Sequence, residues 1–302
     1  MSRESVRGMR WAALGVVYVV WGSTYLAIKF TIETMPPLLS GGLRFLVAGV
    51  VLTLVVGRRM RMTWPQVGTG VLLGLLLPAW GNGLVVVAEQ SVASGLAALM
   101  VASVPLYVVV MRRVGGERPP AVTYVGVVVG LVGLGVLLLH DVGGSTWWGP
   151  WLVLLSAFGW ALGTYLSGRL PVPANPFALS AVEMVAGGVA LTVVGLASGE
   201  RLDVTAVSAR SWTAWGYLVV FGSLLAFSSY VYVLGQLPVS TVATYAYVNP
   251  VIAVLLGVWL ADERFGAVQL AGGLLVVVAV VLVVRAERKC RTPVGTSEPC
   301  RT

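Results

Sequence analysis

Ten stretches of roughly 20 apolar residues, separated by short polar segments, leave this chain few ways to fold. They run over about 11–30, 38–57, 67–88, 92–111, 120–140, 149–168, 177–198, 212–235, 240–261 and 266–285. A helix rises ~1.5 Å per residue, so each stretch matches a hydrocarbon core ~30 Å thick. In lipid every backbone N–H and C=O needs a partner inside the segment, which favours helices. Only 11% of the residues are charged and 58% are hydrophobic, with a mean hydropathy of +0.90. A water-soluble domain carries about 25% charged residues, so these few charges could not cover its surface. The expected fold class is all-α integral membrane, with ten transmembrane helices.

The formal net charge of +8 raises the question of nucleic acid. Here the basic residues fall between apolar runs, where they orient helices against anionic lipid instead. Membrane lipid is therefore an expected partner, and nucleic acid is not. With the N-terminus in the cytoplasm, 15 basic residues fall on inside segments and 4 on outside ones (Lys29, Arg201, Arg210 and Arg264), while Arg44 lies within a span. That asymmetry predicts both termini in the cytoplasm. The basic start (Arg3, Arg7, Arg10) resembles that of a signal peptide. The first span continues through Trp21 to Phe30 with no small-residue cleavage site, so it is expected to remain as a helix.

The two halves resemble each other. Ser23-Thr24-Tyr25-Leu26 matches Gly163-Thr164-Tyr165-Leu166 at an offset of 140. The segment from Pro37 through Arg44 matches that from Pro176 through Glu183 at 139, and Pro105 matches Pro250 at 145. Five spans per half is an odd number, so the halves must enter the membrane in opposite senses. Two inverted five-helix repeats follow, with a solute site expected near the midplane between them. The expected organisation is a cytoplasmic N-terminus at 1–10, repeats at 11–140 and 149–285, and a disordered cytoplasmic tail at 286–302. Gly70/Gly74, Gly126/Gly130 and Gly159/Gly163 have the spacing of close helix packing and are read as architecture.

Candidate chemistry is sparse. One histidine, no paired carboxylates on a helix face, no HExxH, no GxSxG and no Walker A segment occur. No enzyme, cofactor or metal site is therefore expected. Cys290 and Cys300 lie in the polar tail without metal-ligand spacing. Charges inside spans are costly and usually purposeful. Arg44 and Glu183 occupy matching places in spans 2 and 7, as helix anchors or as gate and counter-charge residues. Glu89, ending span 3, could reach Arg44, while Lys29 and His140 read as interfacial. Pro105 and Pro250 are expected to break spans 4 and 9 as hinges, each removing an intrahelical hydrogen bond. The candidate solute pocket comprises Trp21, Tyr25, Trp80, Asn82, Met100, Ser103, Trp160, Tyr165, Ser228, Tyr245, Tyr247 and Asn249. Aromatic faces with a few neutral polar groups suit a small amphipathic or aromatic solute, although helix packing alone could account for any one of these residues.

Several blocks together resemble a known family. They are Trp21-Gly22-Ser23-Thr24-Tyr25, Arg44-Phe45, Gly81-Asn82-Gly83, Ser94-Gly95-Leu96-Ala97-Ala98 leading to Val104-Pro105-Leu106, and Ala246-Tyr247-Val248-Asn249-Pro250-Val251. With the steps Glu117-Arg118 and Glu263-Arg264, they resemble the EamA family of the drug/metabolite transporter superfamily, in particular its YedA-like branch. The resemblance spans about 11–285 and implies a ten-helix bundle of two inverted repeats. It also implies an exporter of amino acids, related metabolites or toxic compounds, with a cavity lined mainly by helices 1, 3, 4, 6, 8 and 9. The function expected is thus secondary transport of a small-molecule solute by alternating access, with proton coupling possible, in a monomer or homodimer. A non-transporting sensor or scaffold, or a lipid-acting membrane enzyme, is the alternative.

Overall fold

The computed structural model describes residues 3–139, 147–242 and 244–289. His140, Cys290, Cys300 and most of the expected tail lie outside the described residues. Among the described residues, nine helices are long and apolar enough to cross a membrane: α1 (Arg3–Thr31), α2 (Pro37–Val56), α3 (Trp64–Ala88), α4 (Ser94–Val114), α5 (Ala121–Leu139), α6 (Gly149–Ser167), α7 (Pro176–Ala197), α8 (Ala209–Leu234) and α10 (Ala267–Lys289). Between α8 and α10, α9 (Tyr245–Ala261) is apolar but has only 17 residues. A one-turn helix, Val239–Val242, precedes it. Helix therefore starts before the expected residue 11 and continues past 286.

Local chemistry sets most helix starts. Pro37, Pro65, Pro150 and Pro176 stand in first turns, where the missing N–H has no intrahelical partner to lose. Asn175 caps α7 by accepting from Phe177 N (3.1 Å), and Ser208 caps α8 by accepting from Ser211 N (3.1 Å).

Two helices change pitch midway. In α3 the segment Leu75–Asn82 is a π-helix containing Pro78, and in α8 Leu218–Phe227 is another. These wider turns free backbone groups locally and recur at functional sites. Span 4 breaks as expected, but one step before the proline: helix stops at Val101 and resumes at Val104, with Pro105 in its first turn. Pro250 instead lies within the continuous α9, which corrects the expectation that it interrupts span 9. Proline is tolerated there as the sixth helical residue, so only one helical hydrogen bond is lost.

Glycines decide how closely the helices approach. A Cβ on Gly74 of α3 would sit 2.5 Å from the Glu183 carbonyl oxygen of α7, and one on Gly188 of α7 would sit 2.7 Å from Leu46 N of α2. The spaced pairs Gly70/Gly74, Gly126/Gly130 and Gly159/Gly163 all face neighbouring helices. Packing partners correspond between halves: α1 lies on α8 and α9 as α6 lies on α3 and α4, while α2 pairs with α7 and α5 with α10.

Candidate functional site

A pocket lies among α1, α2, α3, α4, α6, α8 and α9, with about 610 Å³ of free space, open solvent included. Six aromatic side chains line it: Trp21, Tyr25, Phe45, Trp160, Phe227 and Tyr245. Trp21 of α1 stands edge-on to Trp160 of α6 (5.3 Å between ring centres) and to Tyr245 of α9 (5.4 Å). Phe227 of α8 bridges Phe45 (6.2 Å) and Trp160 (6.3 Å). Tyr230, fully buried behind them, lies 4.8 Å from Trp21 and shares a 2.8 Å hydrogen bond with Thr164. Offset and edge-on rings hold each other in orientation, so the walls are pre-shaped.

Polar groups punctuate this cage. Arg44 is 4% exposed, donates from Nη2 to Asn82 Oδ1 (3.1 Å) and lies 4.2 Å from the centre of the Phe45 ring. It is the one charged residue lining the pocket among the described residues. Asn249 also lines the pocket; its amide satisfies its neighbours with the nitrogen, rather than the oxygen, turned toward α1, where it can donate to the carbonyls of Tyr18 (3.0 Å) and Tyr245 (3.2 Å). That tie fixes α9 against α1. Both π-helical segments border the pocket, through Gly81 and Asn82 of α3 and Gly222 and Phe227 of α8.

Of the twelve expected pocket residues, Trp21, Tyr25, Asn82, Trp160, Tyr245 and Asn249 are brought together here. The other six point elsewhere. Trp80 is 43% exposed and donates to the Leu155 carbonyl of α6 (2.8 Å), its indole lying over Gly159. Met100, Ser103 and Ser228 are buried in helix contacts. Tyr165 lies under the Arg169 guanidinium, 3.7 Å away, and Tyr247 packs on the apolar core.

The charged candidates also separate. No ion pair joins Arg44 to Glu89 among the described residues, and both Glu89 carboxylate oxygens are buried without a hydrogen-bond partner. Glu183 is buried, with Oε2 unpartnered, away from the pocket lining. Lys29, read as interfacial, instead forms an ion pair with Glu263 (2.7 Å).

Several lining residues escaped the sequence reading. Phe45 sits beside Arg44, and Phe227 precedes Ser228 by one position, so adjacency to nominated residues was a usable signal. The expected set of lining helices left out α2, although its Arg44, a nominated gate or counter-charge residue, lines the pocket.

Shape, hydropathy and site together define a multi-pass membrane protein with a central aromatic pocket. The profile of the EamA-like transporter family matches twice, over residues 7–139 and 147–285. The uncharacterized inner membrane transporter YedA of Escherichia coli (strain K12) is 39% identical over 278 residues, which cover 90% of this chain and 89% of that one. A probable amino-acid metabolite efflux pump of the same strain is 24% identical, covering 86% and 90% respectively. A solved crystal structure shares the fold with a TM-score of 0.66 at 21% identity, covering 95% of this chain and 100% of its own. The chain belongs to the EamA-like transporter family of the drug/metabolite transporter superfamily.

Proposed function

We propose that the protein is a secondary transporter exporting small metabolites, namely amino acids or related amphipathic and aromatic compounds, by alternating access around the aromatic pocket. The observation that carries this reading is the cage itself. Trp21 and Phe45 come from the first half of the chain, and Trp160, Phe227 and Tyr245 from the second. A solute held there contacts both halves, so relative rocking of the halves can expose it to one side and then the other.

The corresponding packing partners of α1–α5 and α6–α10 support two inverted five-helix repeats. In this reading α9, with the turn at Val239–Val242, completes a tenth span, and both termini are cytoplasmic. Export and an amino-acid-like cargo draw support from the efflux pump among the relatives. Trp21, Tyr25, Asn82, Trp160, Tyr245 and Asn249 bind solute. Pro105 and the π-helical segments absorb the bending of α4, α3 and α8, while Pro250 loosens α9. Glu89 is the candidate proton carrier, since an unpartnered buried carboxylate is stable only when neutral or newly paired. The work involves no covalent step.

The test compares extracellular metabolites of cells overexpressing the wild type, Trp21→Ala or Asn249→Ala with those of cells lacking the gene. Export of a defined compound by the wild type, reduced in both variants at equal membrane abundance, is the expected result. A variant pair matching the wild type would overturn the site, and no difference between overexpressing and deleted cells would overturn export.

A further inference from the structure

We infer that Arg44 is the specificity-determining residue of the pocket and that the solute carries a carboxylate with no compensating ammonium. This rests on the pocket being the solute site, as proposed above, and narrows the cargo to the related amphipathic and aromatic carboxylates, leaving out free amino acids, whose ammonium the site would not pair.

The argument begins with an unfilled guanidinium. Arg44 is buried, and its Nε has no hydrogen-bond partner among the described residues. Its one hydrogen bond goes from Nη2 to the neutral Asn82. Among the described residues no carboxylate forms an ion pair with it within 4 Å; Glu89 acts on its charge only from farther off, leaves both its own oxygens unpartnered and does not line the cavity. Burying a cation without a counter-charge is expensive in a bundle surrounded by lipid. A cation that stays unpaired while lining a cavity is arranged for an anion that arrives from outside. The Phe45 ring beneath the guanidinium fixes its plane; Nε is buried, so the donors a solute can meet are Nη1, which makes no hydrogen bond among the described residues, and Nη2 beside Asn82.

The geometry also selects the anion. Guanidinium presents parallel donors that match the two oxygens of a carboxylate. One arginine supplies a single positive charge, and among the described residues no lysine or second arginine lines the pocket, so a dianionic phosphate would remain under-neutralised. No acidic side chain among them lines it either, so an ammonium group would face Arg44 with no counter-charge. The remaining wall is aromatic, built by Trp21, Trp160, Phe227 and Tyr245, and accepts a flat apolar body.

The test uses three probes that share an indole ring: indole-3-acetate, neutral 3-methylindole and cationic tryptamine. Each is titrated by calorimetry into the purified full chain in detergent. Wild type is expected to bind indole-3-acetate about tenfold or more tightly than tryptamine, the scale of one buried charge contact. Arg44→Gln is expected to reduce that preference to less than about threefold while still binding 3-methylindole, and Arg44→Lys to fall between. If Arg44→Gln does not fold, the wild-type ranking and Arg44→Lys decide the matter. Equal or reversed ranking in wild type overturns the carboxylate assignment alone and leaves the pocket standing. A ranking unchanged in Arg44→Lys or Arg44→Gln overturns the role of Arg44. Failure of all three probes to bind overturns the inference and the aromatic-pocket reading together.

Discussion

The two ends of the bundle carry the same ionic motif in different surroundings. At one end, Lys29 near the end of α1 meets Glu263 after α9; at the other, Arg169 after α6 meets Glu117 after α4. The basic partners lie 140 residues apart and the acidic ones 146, close to the offsets between the sequence halves. At the Lys29 end the carboxylate is buried, its side chain 3% exposed. It accepts from Lys29 Nζ (2.7 Å), Ser94 N (2.8 Å), Ser94 Oγ (2.9 Å) and Gly95 N (3.1 Å), so it also satisfies the first free amides of α4. Gly257 of α9 gives it room, since a Cβ there would strike the carboxylate. At the Arg169 end, Glu117 is 37% exposed and, among the described residues, takes hydrogen bonds from Arg112 and Arg169. One motif therefore serves as a buried latch and as a wet clasp. Burial, rather than the count of ion pairs, decides what each contributes.

The largest effect is expected from removing the latch. Glu263→Ala leaves Lys29 and two α4 amides unpaired and should destabilise the protein by about 3 kcal/mol, read as thermal unfolding in detergent. A loss no larger than that of the exposed pair would abolish the distinction between the ends. A smaller effect should appear with acid. Burial pushes the Glu263 carboxyl up, but the Lys29 ammonium and the Gly95 and Ser94 amides together outweigh it, so the group ionises below the ordinary 4.5. With the folded value depressed, its contribution is complete above 4.5 and is lost as pH falls further. Acidification from neutral to below 4.5 should thus lower the unfolding temperature of wild type more than that of Glu263→Gln; equal losses would refute the latch. Least of all, Glu117→Ala should cost about 0–1 kcal/mol, a difference that shrinks in high salt. A larger, salt-independent cost would place Glu117 in the same class as Glu263.

The Lys29 end also marks where sequence reading ran out. Lys29 at a helix end looks interfacial because its partner lies 234 residues away. In the sequence Glu263 shows only as half of a Glu-Arg step. The tryptophans make the same point. Trp80 and Trp160 are both aromatic residues within apolar spans, yet only Trp160 lines the pocket. Hydropathy cannot tell which way a uniformly apolar helix is rotated, because neither lipid nor protein demands a polar face there. The π-helical segments were equally hidden: Pro78 marks the one in α3, but no proline marks the one in α8.

Sequence by itself determined the membrane class, the placement of nearly every helix and the likeness between halves. Apolar length and turn chemistry are local properties, written residue by residue along the chain. Tertiary structure alone decided which six of twelve pocket candidates meet, that Arg44 faces the cavity unpaired and that Glu263 latches two distant helices. Those outcomes depend on helix rotation and close approach, which glycine contacts and ring packing set between segments far apart in the chain.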